Sequence, residues 1–217
     1  MPKKHASEPK SNCKRCPRLV AFRKENTVKH PSFYNGAVQS FGPVDAPFLI
    51  IGLAPGLKGA NRTGRLFTGD FSGELLFNGL SHMGWTSGKN ENRADDGFQL
   101  KGCRITNAVC CVPPQNKPTA EEINSCRDYL LARIDVMKNL KVLMALGRIA
   151  HETTIRTFGL RQADYKFGHA SVHKLPNGLD LVDSYHVSRY NVNTGVLTEA
   201  MFLDALRKVK DELPNVR

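Results

Sequence analysis

Two patterns of apolar residues alternate along the chain. Short apolar runs predict strands that are buried on both faces, and apolar positions three or four residues apart predict amphipathic helices. The predicted strands lie at 49–51, 104–109, 141–146 and 179–185, with an edge hairpin strand at 173–176, and the predicted helices lie at 72–83, 119 onward, 149–158 and 198–213. This alternation of strand and helix predicts a parallel sheet that helices cover on both faces.

The segment that follows the first strand, residues 52–70, is rich in glycine and small polar residues. Glycine allows the backbone to approach a ligand closely and leaves amide groups free to point at it. In open α/β sheets, ligands bind beyond the carboxyl ends of the strands, which is where this segment begins. A loop this long with few bulky residues is unusual unless it surrounds a ligand. We interpret it as the floor of an active site, and an ordinary surface loop is the alternative.

Three side chains are predicted to meet at the same edge of the sheet. Asn107 ends the second strand, His186 follows the fourth, and Phe67 lies in the 52–70 segment. An amide offers a donor and an acceptor to the edge of a nucleobase, and an aromatic ring can stack on its face. A histidine N–H can stabilise an oxygen on which charge develops. A turn asparagine, a core phenylalanine and a structural histidine are the alternatives, and the shared location favours the functional interpretation.

A polar segment, residues 187–195, follows His186 and is predicted to be a loop that binds phosphate or enters the minor groove of a duplex. The candidate DNA-binding residues are Ser188, Arg189, Tyr190, Asn191 and Asn193. The chain lacks the glycine pattern of a dinucleotide-binding fold, the P-loop, the nucleophile elbow and the His-Glu-x-x-His metalloprotease motif.

The charge balance favours a polyanionic partner. The 31 lysines and arginines exceed the 20 aspartates and glutamates, which gives a net charge of +11. Such an excess in one compact domain is most often associated with nucleic acid. We predict a flexible basic arm over residues 1–11 and one domain over residues 12–217. Because no apolar run reaches the length of a membrane span, and no apolar segment follows the N-terminal charges, we expect no membrane association. Six cysteines without an export signal predict a reducing cytoplasm.

The cysteines are typical of a metal site. Four of the six cysteines combine a C-x2-C pair, Cys13 and Cys16, with two distant thiols, Cys111 and Cys126. Without an export signal, such thiols are more often ligands than disulfides. Four thiolates fit an iron–sulfur cluster or a zinc ion, and the spacing does not distinguish them. We expect a structural role, because four thiolates leave no open coordination position. Cys103 and Cys110 lie on a predicted strand and are interpreted as buried core thiols.

In combination, the motifs resemble those of family 5 (type b) uracil-DNA glycosylases, the iron–sulfur type found in bacteria and archaea. The motifs are Gly52-Leu53-Ala54-Pro55-Gly56, Phe67-Thr68-Gly69-Asp70, Asn107, and His186-Val187-Ser188 with Asn191-Val192-Asn193-Thr194-Gly195, together with the four cysteines. The resemblance extends over nearly the whole chain. Leu53 occupies the position at which the related family 4 enzymes carry an acidic residue, and Val187 replaces the proline that usually follows the histidine.

The resemblance implies a three-layer α/β/α fold with a four-stranded parallel sheet in a single domain. It implies a structural [4Fe-4S] cluster on the four cysteines and a role in base excision repair. It also implies that Phe67 stacks on a flipped base, that Asn107 reads its edge and that His186 supports the departing base. The expected substrate-binding residues are Gly52, Leu53, Ala54, Gly56, Phe67 and Asn107.

The expected reaction is monofunctional hydrolysis of the bond between deoxyribose and a damaged base. Leu53 cannot activate water, so Asn61 is the first candidate to position the attacking water and Asp70 the second. The pocket without a carboxylate at position 53 predicts activity on uracil and on deaminated purines such as hypoxanthine and xanthine. We expect a monomer that acts on DNA near the nucleoid. The alternatives are a zinc-stabilised nucleic-acid-binding domain without catalysis and a hydrolase of small nucleotides.

Overall fold

A computed structural model describes residues 7–213. Its strands are β1 (Phe48–Gly52), β2 (Thr86–Ser87), β3 (Gln99–Leu100), β4 (Cys103–Asn107), β5 (Val142–Leu146), β6 (Val172–Lys174) and β7 (Asp180–Ser184). Its α-helices are α1 (Pro17–Lys29), α2 (Ala60–Thr63), α3 (Phe71–His82), α4 (Ala120–Val136), α5 (Arg148–Thr157), α6 (Arg189–Asn193) and α7 (Glu199–Glu212). Short 3-10 turns lie at Pro114–Asn116 and Gln162–Asp164.

The central sheet has the strand order β4-β1-β5-β7-β6. The first four of these strands are parallel, as predicted, and β6 pairs antiparallel with β7 at the edge. The sheet therefore has five strands rather than four, because the predicted edge hairpin strand joins it. The small β2–β3 ribbon was not predicted, since a two-residue strand has no periodicity to detect.

Both faces of the sheet are covered, which confirms the three-layer prediction. Phe48 and Ile50 of β1 pack on one face, in an apolar cluster with residues of α3 and α7. Leu49 and Ile51 pack on the other face with residues of α4 and α5. Because successive side chains of a strand point to opposite faces, a strand buried on both faces is apolar throughout. Because the first four strands of the sheet are parallel, their carboxyl ends lie at the same edge.

Helix starts follow the capping chemistry of the sequence. Thr119 and Glu122 form the predicted capping box, in which each side chain accepts a hydrogen bond from the other residue's backbone N–H. The polar segment 187–195, predicted as a loop, instead contains α6. The Ser188 hydroxyl accepts a hydrogen bond from the Asn191 N–H at the start of this helix. A five-residue helix is too short to show a 3.6-residue period. The capping residue Ser188 was the one feature of the sequence that could have indicated its start.

The predicted arm, residues 1–11, lies partly outside the described residues. Within the described part, Glu8 accepts hydrogen bonds from Arg104 Nη2 at 3.2 Å and Arg133 Nε at 3.1 Å. These ion pairs hold the chain near residue 8 against β4 and α4. Among residues 7–213, no helix combines the length and apolar character that a membrane crossing requires.

Candidate active site

A cavity of about 280 Å³ lies beyond the carboxyl ends of β1, β4 and β7. Pockets that bind small molecules have volumes of roughly 300 Å³ or more. The volume of this cavity therefore suits a single base better than a dinucleotide. The lining residues are Leu53, Ala54, Pro55, Gly56, Ala60, Phe67, Asp70, Ser72, Asn107, Asn116, His186 and Ser188. Of the predicted site residues, Leu53, Ala54, Gly56, Phe67, Asp70, Asn107, His186 and Ser188 are in this set. Gly52, Asn61, Arg189, Tyr190, Asn191 and Asn193 are not, and the sequence analysis did not select Pro55, Ala60, Ser72 or Asn116.

Gly52 lies behind the cavity wall and makes room for two of its side chains. A Cβ atom at this position would lie 2.4 Å from Asn107 Oδ1 and 2.8 Å from Phe67 Cζ. Asn107 ends β4, and its buried Oδ1 has no hydrogen-bond partner within residues 7–213. A buried acceptor without a partner is costly unless a ligand donates to it. The Asn107 amide is thus prepared to accept a hydrogen bond from a ligand in the cavity.

The Phe67 backbone has a φ of +52°, in the left-handed region that a bulky side chain rarely adopts. Gly73 in the first turn of α3 permits this arrangement, because a Cβ there would lie 1.8 Å from the Phe67 carbonyl oxygen. Strained conformations persist where the surrounding structure enforces them, and they cluster at functional sites. The Phe67 ring lines the cavity and also belongs to the apolar cluster on this face of the sheet.

Asp70 caps a helix with one carboxyl oxygen and also lines the cavity. Its Oδ1 caps α3 by accepting hydrogen bonds from Ser72 N at 3.1 Å and Gly73 N at 3.4 Å. Its Oδ2 lies on the side of Gly56 and Gly59, where a Cβ at Gly59 would come within 2.0 Å. Burial raises the pKa of Asp70, and the two backbone hydrogen bonds oppose that rise. The second oxygen faces the cavity floor as a potential base.

Asn61 lies outside the cavity lining and is fully buried. Its Nδ2 donates to Asn35 Oδ1 at 2.9 Å, and its Oδ1 has no partner within the described residues. Asn35 in turn donates to the carbonyl of His30 at 2.8 Å. The side chain of Asn61 therefore links α2 to the segment after α1, rather than reaching into the cavity.

His186 lines the cavity directly after β7. Neither nitrogen of its ring has a hydrogen-bond partner in the part of the chain that the structure describes, so both remain available to a ligand. Burial lowers the pKa of His186, which favours a neutral ring at pH 7. The His186 backbone carbonyl accepts a hydrogen bond from Asn191 Nδ2 at 2.8 Å. Asn191 thus positions the catalytic candidate instead of facing solvent.

Gly147, at the start of α5, packs directly against His186. It has a φ of +91°, and a Cβ there would lie 3.2 Å from His186 Cβ. We predict that Gly147→Ala displaces the histidine and lowers turnover roughly ten- to hundredfold, as small displacements of catalytic groups do. Gly178→Ala is the matched control. Gly178 also has a positive φ of +81°, but a Cβ there would meet no other described atom within 4 Å. Equal turnover in the two variants would contradict a specific role of Gly147.

The candidate DNA-binding residues are distributed over α6. The Arg189 guanidinium lies 5.3 Å from the centre of the Phe71 ring, which joins α6 to the start of α3. Tyr190 is 74% exposed, and Asn193 is also exposed. These exposed side chains lie on the helix that begins at the cavity residue Ser188.

A second, small cavity contains the predicted cysteine group. Cys13, Cys16, Cys111 and Cys126 line it together with Cys110, which we had assigned to the core. Arg23 Nη1 donates to Cys111 Sγ at 3.6 Å, and Arg133 Nη2 donates to Cys110 Sγ at 2.8 Å. Cys103 lies apart: its thiol donates to the Trp85 carbonyl, and burial raises its pKa to about 12. Both thiols are buried, as predicted. Cys103 lies away from the cysteine group, whereas Cys110 also lines its cavity.

Arg133 connects the two cavities. Its side chain is 1% exposed, and besides Cys110 and Glu8 it reaches the Asn107 carbonyl, with Nη1 at 3.3 Å. A buried guanidinium requires such partners to offset its lost hydration. The end of β4, and with it Asn107, is thus held by the same side chain that contacts the cysteine group. The sequence analysis did not select Arg133. Its position on the apolar face of α4, beside Leu130 and Ile134, was the signal that could have identified it.

Comparisons with known proteins match most of the chain. The family described as "Uracil DNA glycosylase superfamily" matches residues 39–210. A type-5 uracil-DNA glycosylase of Thermus thermophilus is 43% identical over 203 residues, which cover 91% of this chain and 92% of that protein. A type-5 uracil-DNA glycosylase of Pyrobaculum aerophilum is 37% identical over 203 residues, 91% of this chain and 87% of that protein. A type-4 uracil-DNA glycosylase of the same organism is 33% identical over 151 residues, 69% of this chain and 63% of that protein.

Proposed function

Because this chain belongs to the uracil DNA glycosylase superfamily, we propose that it hydrolyses the N-glycosidic bond of uracil in DNA and so begins base excision repair. The observation that carries the proposal is the cavity in which Asn107, Phe67 and His186 meet, with a buried Asn107 oxygen that has no partner among residues 7–213. The names of the type-5 relatives and the net charge of +11 support DNA as the substrate.

The base is recognised at its edge and its face. A uracil carries a ring N–H next to a carbonyl oxygen, and the Asn107 amide offers an acceptor and a donor in the complementary order. The Phe67 ring stacks on the face of the base. Because the target lies inside a duplex, it must be rotated out of the stack, at a cost of a few kcal/mol. Uracil mispaired with guanine reduces that cost.

His186 acts on the departing base. As the glycosidic bond breaks, negative charge accumulates on the base and the sugar becomes cationic. The neutral His186 ring donates an N–H to the base oxygen that gains charge. One preorganised donor of this kind contributes roughly 3–4 kcal/mol. The water that attacks the sugar loses its proton, and the base takes up one proton on leaving, so the reaction is balanced.

Asp70 is the residue that we propose to position the attacking water. Its Oδ2 is not used in capping α3, and Asp70 lines the cavity, whereas Asn61 does not. The carboxylate also stabilises the cationic sugar by its charge. This reverses the order of the two candidates, because the sequence alone does not show which of two nearby polar side chains faces the cavity.

We propose that the substrate range includes hypoxanthine and xanthine, since Leu53 places an apolar side chain in the cavity where an acidic one would restrict it. The test is cleavage of duplexes that carry one uracil or one hypoxanthine. We predict strand scission after alkali with both, and in Leu53→Glu a loss of hypoxanthine excision at least tenfold greater than that of uracil excision. Excision of uracil alone by the unmodified protein would contradict the permissive cavity.

We propose that Cys13, Cys16, Cys111 and Cys126 hold a [4Fe-4S] cluster, which when bound joins the N-terminal segment to α4 and supplies no step of the hydrolysis. The four cysteines line one small cavity, and four thiolates are the donor set that such a cluster requires. Iron and sulfide analysis, with about four of each per chain expected, tests this assignment. Because cysteines that form no disulfide are typical of a reducing compartment, we also propose a cytoplasmic location. We further propose that the protein is a monomer.

A further inference from the structure

Away from both cavities, three potential metal ligands converge from separate elements. His151 lies on α5, His173 on β6 and Asp183 on β7. Their side chains are 2%, 13% and 0% exposed, respectively. One ligand atom from each lies within 4.8 Å of the other two. Nothing in the proposed glycosylase reaction uses these residues.

Their hydrogen bonds define which atoms face one another. His151 Nδ1 lies 2.7 Å from Asp183 Oδ1, and His173 Nε2 lies 3.0 Å from Asp183 Oδ2. The other ring nitrogen of His151, Nε2, lies 2.8 Å from the Tyr165 carbonyl oxygen. Because a carbonyl can only accept, Nε2 carries a proton and Nδ1 is the atom directed at the carboxylate. A backbone carbonyl on the outer nitrogen is the usual way to orient a ligating histidine.

We propose that His151 Nδ1, His173 Nε2 and one oxygen of Asp183 form a binding site for a divalent transition metal of the zinc class. Two imidazoles and one carboxylate are a common protein donor set for zinc. Tetrahedral zinc with bonds of roughly 2.0–2.2 Å separates its ligand atoms by about 3.3 Å, so these contacts need to widen by about half an ångström. On binding, the proton between His151 Nδ1 and Asp183 leaves to solvent. The proton of His173 moves from Nε2, which binds the metal, to Nδ1.

The residues around the three ligands determine how a metal ion would reach them and what its binding would do to the fold. His151 also lines a surface cavity in which Glu152 favours a cation, whereas Arg148 and Lys166 oppose its entry. A metal here would join α5 to the edge of the sheet. Asp183 precedes His186 by three residues on the segment that ends β7. The site would therefore stabilise the part of the fold that supports the cavity, without contributing a group to the reaction.

Zinc binding to the cluster-loaded protein tests the site. We expect titration calorimetry to detect one tight zinc equivalent, and His173→Phe, which keeps a ring but removes the nitrogen, to weaken it about a hundredfold or more. His82→Phe, at an exposed histidine of α3, is the matched control and should bind zinc as before. Free zinc at a hundred times Kd should also raise Tm by roughly 5–10 °C in the unmodified protein and not in His173→Phe.

Diffraction at the zinc absorption edge locates the ion independently of affinity. We expect an anomalous peak between His151 and His173, and its absence in Asp183→Asn, a substitution of nearly the same size. Zinc found only at the cysteines, or equal affinity in the unmodified protein and His173→Phe, would overturn the proposal. The two histidines and Asp183 would then form only a buried hydrogen-bonded group that binds no metal.

Discussion

His186→Ala lowers the rate of uracil excision by roughly two to three orders of magnitude and leaves the affinity for uracil-containing DNA within about threefold. The expected loss follows from removing one preorganised hydrogen-bond donor, which is worth roughly 3–4 kcal/mol in the transition state. Affinity is retained because the base edge is held by Asn107 and its face by Phe67. Single-turnover excision rates and equilibrium DNA binding, measured on the same preparation, separate the two effects.

A graded variant and a matched control make this prediction specific. His186→Gln keeps an N–H donor at a similar distance from the backbone, so it should recover part of the lost rate. His82→Ala, at the exposed end of α3, should behave like the unmodified protein. Equal losses of rate and affinity in His186→Ala would show that the histidine binds the base without acting on its departure.

Asp70→Asn is the second large effect that we expect, a loss of roughly a hundredfold or more in excision rate at neutral pH. Asparagine removes the charge at Oδ2 and remains a good N-cap residue, so α3 and its Tm should change little. Because burial raises the pKa of Asp70, the rate of the unmodified protein should rise with pH through a value above that of an ordinary carboxyl. This rise should be absent in Asp70→Asn.

Asn61→Ala distinguishes the two water-positioning candidates. Because Asn61 bonds to Asn35 and lies outside the cavity, its replacement should lower Tm with at most a small effect on the excision rate of the folded protein. A large rate loss in Asn61→Ala, together with a normal rate in Asp70→Asn, would return the role to Asn61.

The layers of the fold were predictable because buried parallel strands have a simple signature. The runs 49–51 and 142–146 are apolar at every position, since both faces of the sheet are covered. Thr119 with Glu122 likewise specifies a helix start through local chemistry alone. The glycines of the 52–70 segment predicted a cavity floor, since glycine has few other reasons to accumulate at a strand end.

The remaining features depend on contacts between residues that are far apart in sequence. Cys110 and Cys111 are neighbours beyond the last residue of β4, where the alternation of a strand no longer determines which side chain faces which way. Arg133 reaches Glu8 across 125 positions, and no local pattern encodes such a pair. The same holds for His151, His173 and Asp183, which occupy three different elements. Asp70 and Asn61 could be ranked only once the cavity was visible.

Cleavage of a labelled duplex that carries one uracil opposite guanine tests the central claim most directly. The duplex is incubated with protein of known iron content and then treated with alkali, which breaks the strand at abasic sites. We predict scission at the uracil position and no scission of the matching duplex with thymine. With His186→Ala, scission should be slower by roughly two to three orders of magnitude. No scission by folded protein with its full complement of iron would contradict the glycosylase assignment and favour a domain that binds DNA without cleaving the glycosidic bond.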